Sequence, residues 1–230
     1  MAVSDKYRWD RRAQRFRHRS NGQFVARQTT LRIAERARNA AIADLQALGR
    51  QLNEGRISTH DFHQQASLTI RQIHVQQAVL GAGGSDRVSS ETWLAIGRNV
   101  KKNIATGVDE DGRRYGLREL LKEVQDGSVS DRQLLARLQL YANSGKESYW
   151  QANINHAIAQ GETWGERVLN EEAENCECCP VYAAMGPVPL DQIVLPTQKC
   201  PCGPNCRCRI VTMTLEEAVL RGAVQSSGWV

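Results

Sequence analysis

Cys176-Glu-Cys178-Cys179-Pro180, then nineteen residues, then Cys200-Pro-Cys202-Gly-Pro-Asn-Cys206-Arg-Cys208: this window holds all seven cysteines of the 230-residue chain and, from Pro180 to Pro204, all six prolines. A segment so rich in proline and so poor in periodic apolar residues buries little core of its own. It needs a covalent or metal staple. Two chemistries fit, a metal site or disulfides. Cys176 and Cys179 form a C-x-x-C hook, which aims two thiolates at one ion from a single turn. Cys202, Cys206 and Cys208 supply the return half, so the spacing is that of a four-cysteine zinc site. Alternate residues of a strand point to opposite faces, so Cys206 and Cys208 share an ion only if the backbone turns sharply between them. Seven is odd, so disulfides cannot pair every cysteine within one chain. A catalytic thiol wants a base in reach, and the window contains no histidine; His156 is the nearest in sequence.

Composition narrows the choice. Hydrophobic residues make up 41% and mean hydropathy is −0.49. No apolar run approaches the length of a membrane span. The N-terminus is charged and lacks an apolar signal core, so the expectation is a chain made in a reducing cytoplasm, where zinc is favoured over disulfides. The net charge is +5. Residues 1–20 carry seven basic residues (Lys6, Arg8, Arg11, Arg12, Arg15, Arg17, Arg19) against Asp5 and Asp10, so this arm holds the whole excess. Such an arm suits nucleic acid or an acidic protein surface; the plainer reading is a solvated tail. Asn21-Gly22 is a strong hairpin-turn signal. Tyr7, Trp9, Phe16, Phe24 and Val25 are expected on one side of a small ribbon.

Between arm and window the pattern is helical. Leu31, Ile33, Ala34, Ala37, Ala41, Leu45, Leu48 and Leu52 mark a first helix, ended by Gly55. Ser58 or Thr59 caps a second, with Phe62, Ala66, Ile70, Ile73 and Leu80 as its stripe, Gln77 as the polar exception and Gly81, Gly83 and Gly84 closing it. Ser89 or Ser90 starts a third, bearing Trp93, Ile96, Val100 and Ile104 behind a staple residue, Val88. A short helix spans Leu117 to Val124. Ser130 and Gln133 form a capping box for a long fifth helix that Gly145 bends or interrupts and Gly161 ends. A short helix is expected from Trp164 to Leu169. Arg209-Ile-Val-Thr-Met213 is expected as the one convincing strand, followed by a terminal helix, Leu215 to Leu220, capped by Thr214. Asp109, Glu110 and Asp111 read as an exposed acidic loop. His60, His63 and His74 share the second helix without a compelling metal spacing. No phosphate-binding loop, dinucleotide fingerprint or hydrolase motif is present.

The segment Trp164-Gly-Glu-Arg-Val-Leu-Asn-Glu-Glu-Ala-Glu-Asn-Cys176, then Cys179, Gly186-Pro-Val-Pro189 and Cys202-Gly-Pro-Asn-Cys206-Arg-Cys208-Arg-Ile210, resembles the C-terminal part of the minor head, or head-morphogenesis, proteins of tailed bacteriophages. The resemblance covers residues 140–212 well. It implies a virion component at the portal vertex, oligomeric in the particle, which acts in head assembly, DNA packaging or genome delivery and catalyses no reaction. It implies portal or other head proteins as partners and no membrane; the charge of the arm adds the expectation that it faces packaged DNA or an acidic portal surface. By the family spacing the ligands of a structural zinc are Cys176, Cys179, Cys202 and Cys206, with Cys208 first in reserve. Cys178 and Cys200 are additions to the family pattern.

The expected fold is therefore mainly α. A basic arm (1–25) precedes a helical body (26–172). A loop-rich, cysteine-rich zinc module (173–214) with one or two short strands follows, then a C-terminal helix and tail (215–230). The competing function is a zinc-stapled, nucleic-acid-binding regulatory protein, for which no recognition helix stands beside the cysteines.

Overall fold

A computed structural model describes residues 7–10, 12, 15–108, 112 and 114–223. The protein is mainly helical, with a few short strands and a cysteine-rich C-terminal region. The expected acidic loop, Asp109 to Asp111, lies outside the described residues, as do Lys6 and Arg11 of the arm and the side chains of Tyr7, Arg8, Trp9 and Arg15.

Strands β1 (Tyr7–Asp10) and β2 (Arg15–His18) form an antiparallel hairpin, with Asp10 opposite Arg15. The Asn21-Gly22 turn also forms, but it folds the chain from β2 back to Phe24, which bridges to Arg17. Gly22 has φ of 68°, the left-handed conformation this turn requires. Phe16 and Val25 are buried while Phe24 is exposed, so the expected aromatic face is only partly realised. The Arg17 guanidinium stacks on the Phe24 ring and pairs with Asp10.

Helices α1 (Arg27–Asn53) and α2 (Thr59–Ala82) follow as a long pair. Gly55, at φ 66°, lies just past the end of α1, and the Ser58 hydroxyl accepts the Asp61 N–H to cap α2. Helix α3 (Ser90–Ile104) is capped by Ser89. A minimal hairpin, β3 (Gly107–Val108) with β4 (Arg114–Tyr115), leads to α4 (Leu117–Gln125). The Ser130–Gln133 capping box starts α5 (Asp131–Asn143), and the chain breaks at Ser144 before α6 (Gly145–Ala159). The long fifth helix of the sequence is thus two helices.

Helix α2 is the axis of the body. Phe62, Ala66, Ile70 and Ile73 face α1, α4 and α5 in a cluster with Leu45, Leu117, Leu120, Leu134 and Leu138. Farther along, Ala78 and Ala82 meet Val88, Ile96 and Ala152. Gly81 is a packing residue rather than a stop signal: a Cβ there would overlap the Tyr149 carbonyl of α6. The left-handed cap is Gly83, at φ 79°.

The segment expected as a helix, Trp164 to Leu169, is strand β5 (Trp164–Val168). It is the middle strand of an antiparallel sheet, between β6 (Val188–Pro189) and β7 (Arg209–Met213). The Arg209–Met213 strand is present as expected but has company. A spacing of four between Trp164 and Val168 suits one face of a helix and one face of a strand equally, and pairing with β7 decides for the strand. The last helices are α7 (Cys178–Ala184) and α8 (Leu215–Leu220), the latter with a Thr214–Glu217 capping box.

One apolar cluster joins arm, body and sheet region. Phe16 and Val25 pack with Ile33, Tyr149 and Trp150 of the helices and with Leu190, Leu195 and Ile210. The cysteine region is therefore docked on the body by a hydrophobic contact, which fixes where its thiols point.

Candidate metal centre

Three short pieces bring the thiols together. The first turn of α7 presents Cys179, with Cys176 just before it; the Cys179 N–H donates to the Cys176 carbonyl, which closes the hook. The loop ahead of Cys200 carries Thr197 at φ 95° and Lys199 at φ 48°, an unfavourable conformation for both residues and most of all for a β-branched threonine. A 3-10 turn, Gly203–Asn205, then separates Cys202 from Cys206.

The resulting sulfur geometry is compact. Cys176 Sγ lies 3.4 Å from Cys179 Sγ and 3.5 Å from Cys202 Sγ. Cys179 Sγ lies 3.8 Å from Cys202, 3.9 Å from Cys206 and 4.0 Å from Cys200. Four sulfurs around one zinc at about 2.3 Å stand about 3.8 Å apart, the edge of that tetrahedron. All seven cysteines are free thiols, and these separations are far from the ~2.05 Å of a disulfide.

Two groups of donors satisfy mutual proximity among the described residues. Cys176, Cys179, Cys200 and Cys202 form one, and Cys179, Cys206 and Cys208 form the other, with the members of each within 4.8 Å of one another. Three of the four expected ligands, Cys176, Cys179 and Cys202, therefore fall together, and Cys200 completes their set. The fourth, Cys206, touches Cys179 but groups with Cys208. Cys206 and Cys208 do turn toward one site. They precede β7, which begins at Arg209, so strand alternation does not separate them. Cys178 belongs to neither group.

Arg167 is the residue the sequence did not announce. In β5 it lies on the buried face with Gly165, two residues away, and is 2% exposed. Its Nη2 donates toward Cys206 Sγ at 3.2 Å, Cys200 Sγ at 3.4 Å and Cys179 Sγ at 3.6 Å. Its Nη1 donates to the Val194 carbonyl. A signal existed in the strand reading of Trp-Gly-Glu-Arg-Val, which puts a charged residue on an inward position. That is costly unless it is paired.

The electrostatics divide the thiols of these two groups, lowering two of them and raising three. Burial works against the Arg167 charge, but Cys206, Cys208 and Cys200 outweigh it and hold the guanidinium above its usual range. Burial raises the Cys176 thiol, yet the sulfur of Cys179 and donors from Cys202 pull it down to about 6. Cys206 also ends below its usual range, against burial, through Cys208 and Arg167. Cys202 is pushed up to about 12, first by burial and then by hydrogen bonds to Cys176 and Cys206. Cys179 and Cys208 move upward too, with burial the leading cause. Thiols this close cannot all ionise alone; a dication removes the conflict.

The body supplies further cations. Lys146 of α6 donates to the Cys206 carbonyl at 2.6 Å, and burial, then Arg38, lowers its pKa to about 8. Asn143 donates to Asn205 at 2.9 Å. Lys146, Arg38, Arg207 and Glu35 line a polar cavity of about 490 Å³ between α1, α6 and residues 205–208. The histidines of α2 do not join the thiols. His60 bonds Gln64 on the surface, and His74 is fully buried against Ser148, 2.8 Å away.

Compared with known proteins, the chain matches no protein-family model, no curated protein and no solved structure.

Proposed function

We propose that this chain is a metal-stapled structural protein of tailed-bacteriophage virions, of the minor-head or head-morphogenesis type. In this reading it sits at the portal vertex and serves head assembly, DNA packaging or genome delivery without catalysing a reaction. The observation that carries the reading is the motif order from Trp164 to Ile210: a C-x-x-C hook, a glycine–proline loop and Asn205-Cys206-Arg207-Cys208 running into an apolar strand. The convergence of those cysteines on one cluster supports it, since a structural staple is what that motif would build. The ion is zinc, matched by all-sulfur donors and by their spacing. Portal or other head proteins are the partners, and packaged DNA faces the basic arm. No helix among the described residues is long and apolar enough to cross a membrane.

Mass spectrometry of particles purified from cells carrying this coding sequence tests the reading. The chain is expected as a minor, reproducible component beside the portal protein. Complete absence from intact particles would overturn it. The second reading, a nucleic-acid-binding regulator, is favoured by one feature, the seven basic residues of the arm. It requires the soluble protein to select one DNA sequence over others in competition, whereas the virion reading expects binding without preference.

A further inference from the structure

One tetrahedral ion takes four sulfurs, and this cluster holds six. Cys176, Cys179, Cys200 and Cys202 suffice for one ion. That leaves Cys206 and Cys208, which are 2% and 4% exposed, against the same Cys179 sulfur. These two are surplus donors: Cys206 Sγ accepts from Arg167 at 3.2 Å and Cys208 Sγ lies 4.0 Å from Asn175 Oδ1.

We propose that the module is a binuclear thiolate cluster, in which Cys176, Cys179, Cys200, Cys202, Cys206 and Cys208 hold two zinc ions and Cys179 bridges them. The proposal rests on the metal-staple reading and deepens it. Cys179 is the shared member of both donor groups, the position a bridge must occupy. Two four-coordinate ions make eight metal–sulfur bonds, so six sulfurs must include two bridges. Cys202, whose sulfur lies 3.8 Å from that of Cys179 and 3.5 Å from that of Cys176, is assigned as the second. Charge points the same way. Six thiolates around a single dication would leave four negative charges uncompensated in a largely buried site. A second dication leaves two, opposite Arg167 and Lys146. The Arg167 Nη2 touches one sulfur private to the first group (Cys200), one private to the second (Cys206) and the shared one. It also interacts with Cys208, and so caps the cluster where the two halves meet. The second ion takes Cys179, Cys206 and Cys208 with Cys202 as its fourth donor. The odd cysteine count is also explained: six are ligands and Cys178 is spare.

Elemental analysis of the full chain, purified with reductant and desalted from excess zinc, is the first test. Two zinc per chain are expected. One per chain overturns the binuclear cluster and leaves the single-ion staple standing. None, in a folded protein, overturns both. Cadmium-113 NMR of the reconstituted wild-type chain is the second. Two resonances are expected, with the Cys179 β-protons coupled to both. A single resonance, or two without a shared cysteine, sinks the bridge. Cys208→Ser should lower the zinc content from two toward one while Cys178→Ser leaves it at two. If Cys208→Ser does not fold, the wild-type spectrum still decides.

Discussion

His74 has no exposed surface, and burial lowers its pKa to about 4. Its Nδ1 pairs with Ser148, and its Nε2 lies near Ser144 and Asn103. An unfolded chain would protonate this ring near 6.5, so protons favour the unfolded state between the two values. The stabilisation is complete above about pH 6.5 and is lost as the pH falls toward 4, by about 3 kcal/mol from this one group. Denaturant midpoints of wild type and His74→Gln across pH 4–7 check this: wild type should lose stability on acidification more steeply than the variant. Parallel curves would show that another group controls the acid limb. Arg167 poses the companion case. Arg167→Met removes a buried charge and keeps most of the stem volume, so it should weaken zinc retention in a chelator competition more than it changes the helical signal. Equal affinity in both proteins would reduce the guanidinium to packing.

At the level of elements, the strongest expectations concern α2 and α6. Their close approach depends on Gly81, where a methyl group has no room beside the Tyr149 carbonyl. Gly81→Ala should cost about 1–3 kcal/mol by thermal unfolding despite alanine's better helix propensity. A rise in Tm would mean that the helices part without penalty. The Ser130–Gln133 box is exposed and local, so Ser130→Ala should cost only about 1 kcal/mol. Caps, stripes and glycine stops located α1 to α5 and α8 because those signals are short-range. The Trp164–Val168 strand was illegible because its periodicity fits both states. Its partner in β7 lies some forty residues onward, a non-local pairing that no window reports.

For the whole molecule, the shared cluster of Phe16, Trp150, Leu190 and Ile210 makes arm, body and cysteine region interdependent. Structural zinc contributes on the order of 10 kcal/mol to the folding of small modules. If the cluster holds such an ion, chelation under reducing conditions should expose more than the cysteine loops. Amide exchange should rise across residues 164–213 and also around Ile33 and Tyr149. The cluster of Phe62, Leu117 and Leu138 should stay protected. Loss confined to residues 176–208 would show that the docking contact carries little energy. Residues 16–25 of the arm are likewise not a free tail, since Phe16 is buried and Arg17 is engaged with Asp10 and Phe24. A test of its charge should spare Arg17. Changing Arg8, Arg11, Arg12 and Arg15 to Ser should weaken DNA binding and flatten its salt dependence, while zinc content is unchanged. An unchanged salt slope would exclude these four as phosphate contacts.

What the sequence determined by itself was local and chemical. Apolar spacing and cap residues made the body helical, and confining seven cysteines to thirty-three residues announced a staple. Tertiary structure decided the rest. It brought Cys200 into the set with Cys176, Cys179 and Cys202 and turned Cys206 and Cys208 to one side. It put Arg167 among their sulfurs by pairing β5 with β7. The reason is physical. Ligand spacing constrains which thiols can reach an ion, but which of them do reach it depends on the path of the loops between, and that path is set by contacts with Tyr149, Trp150 and Ile33 on helices far away in the chain.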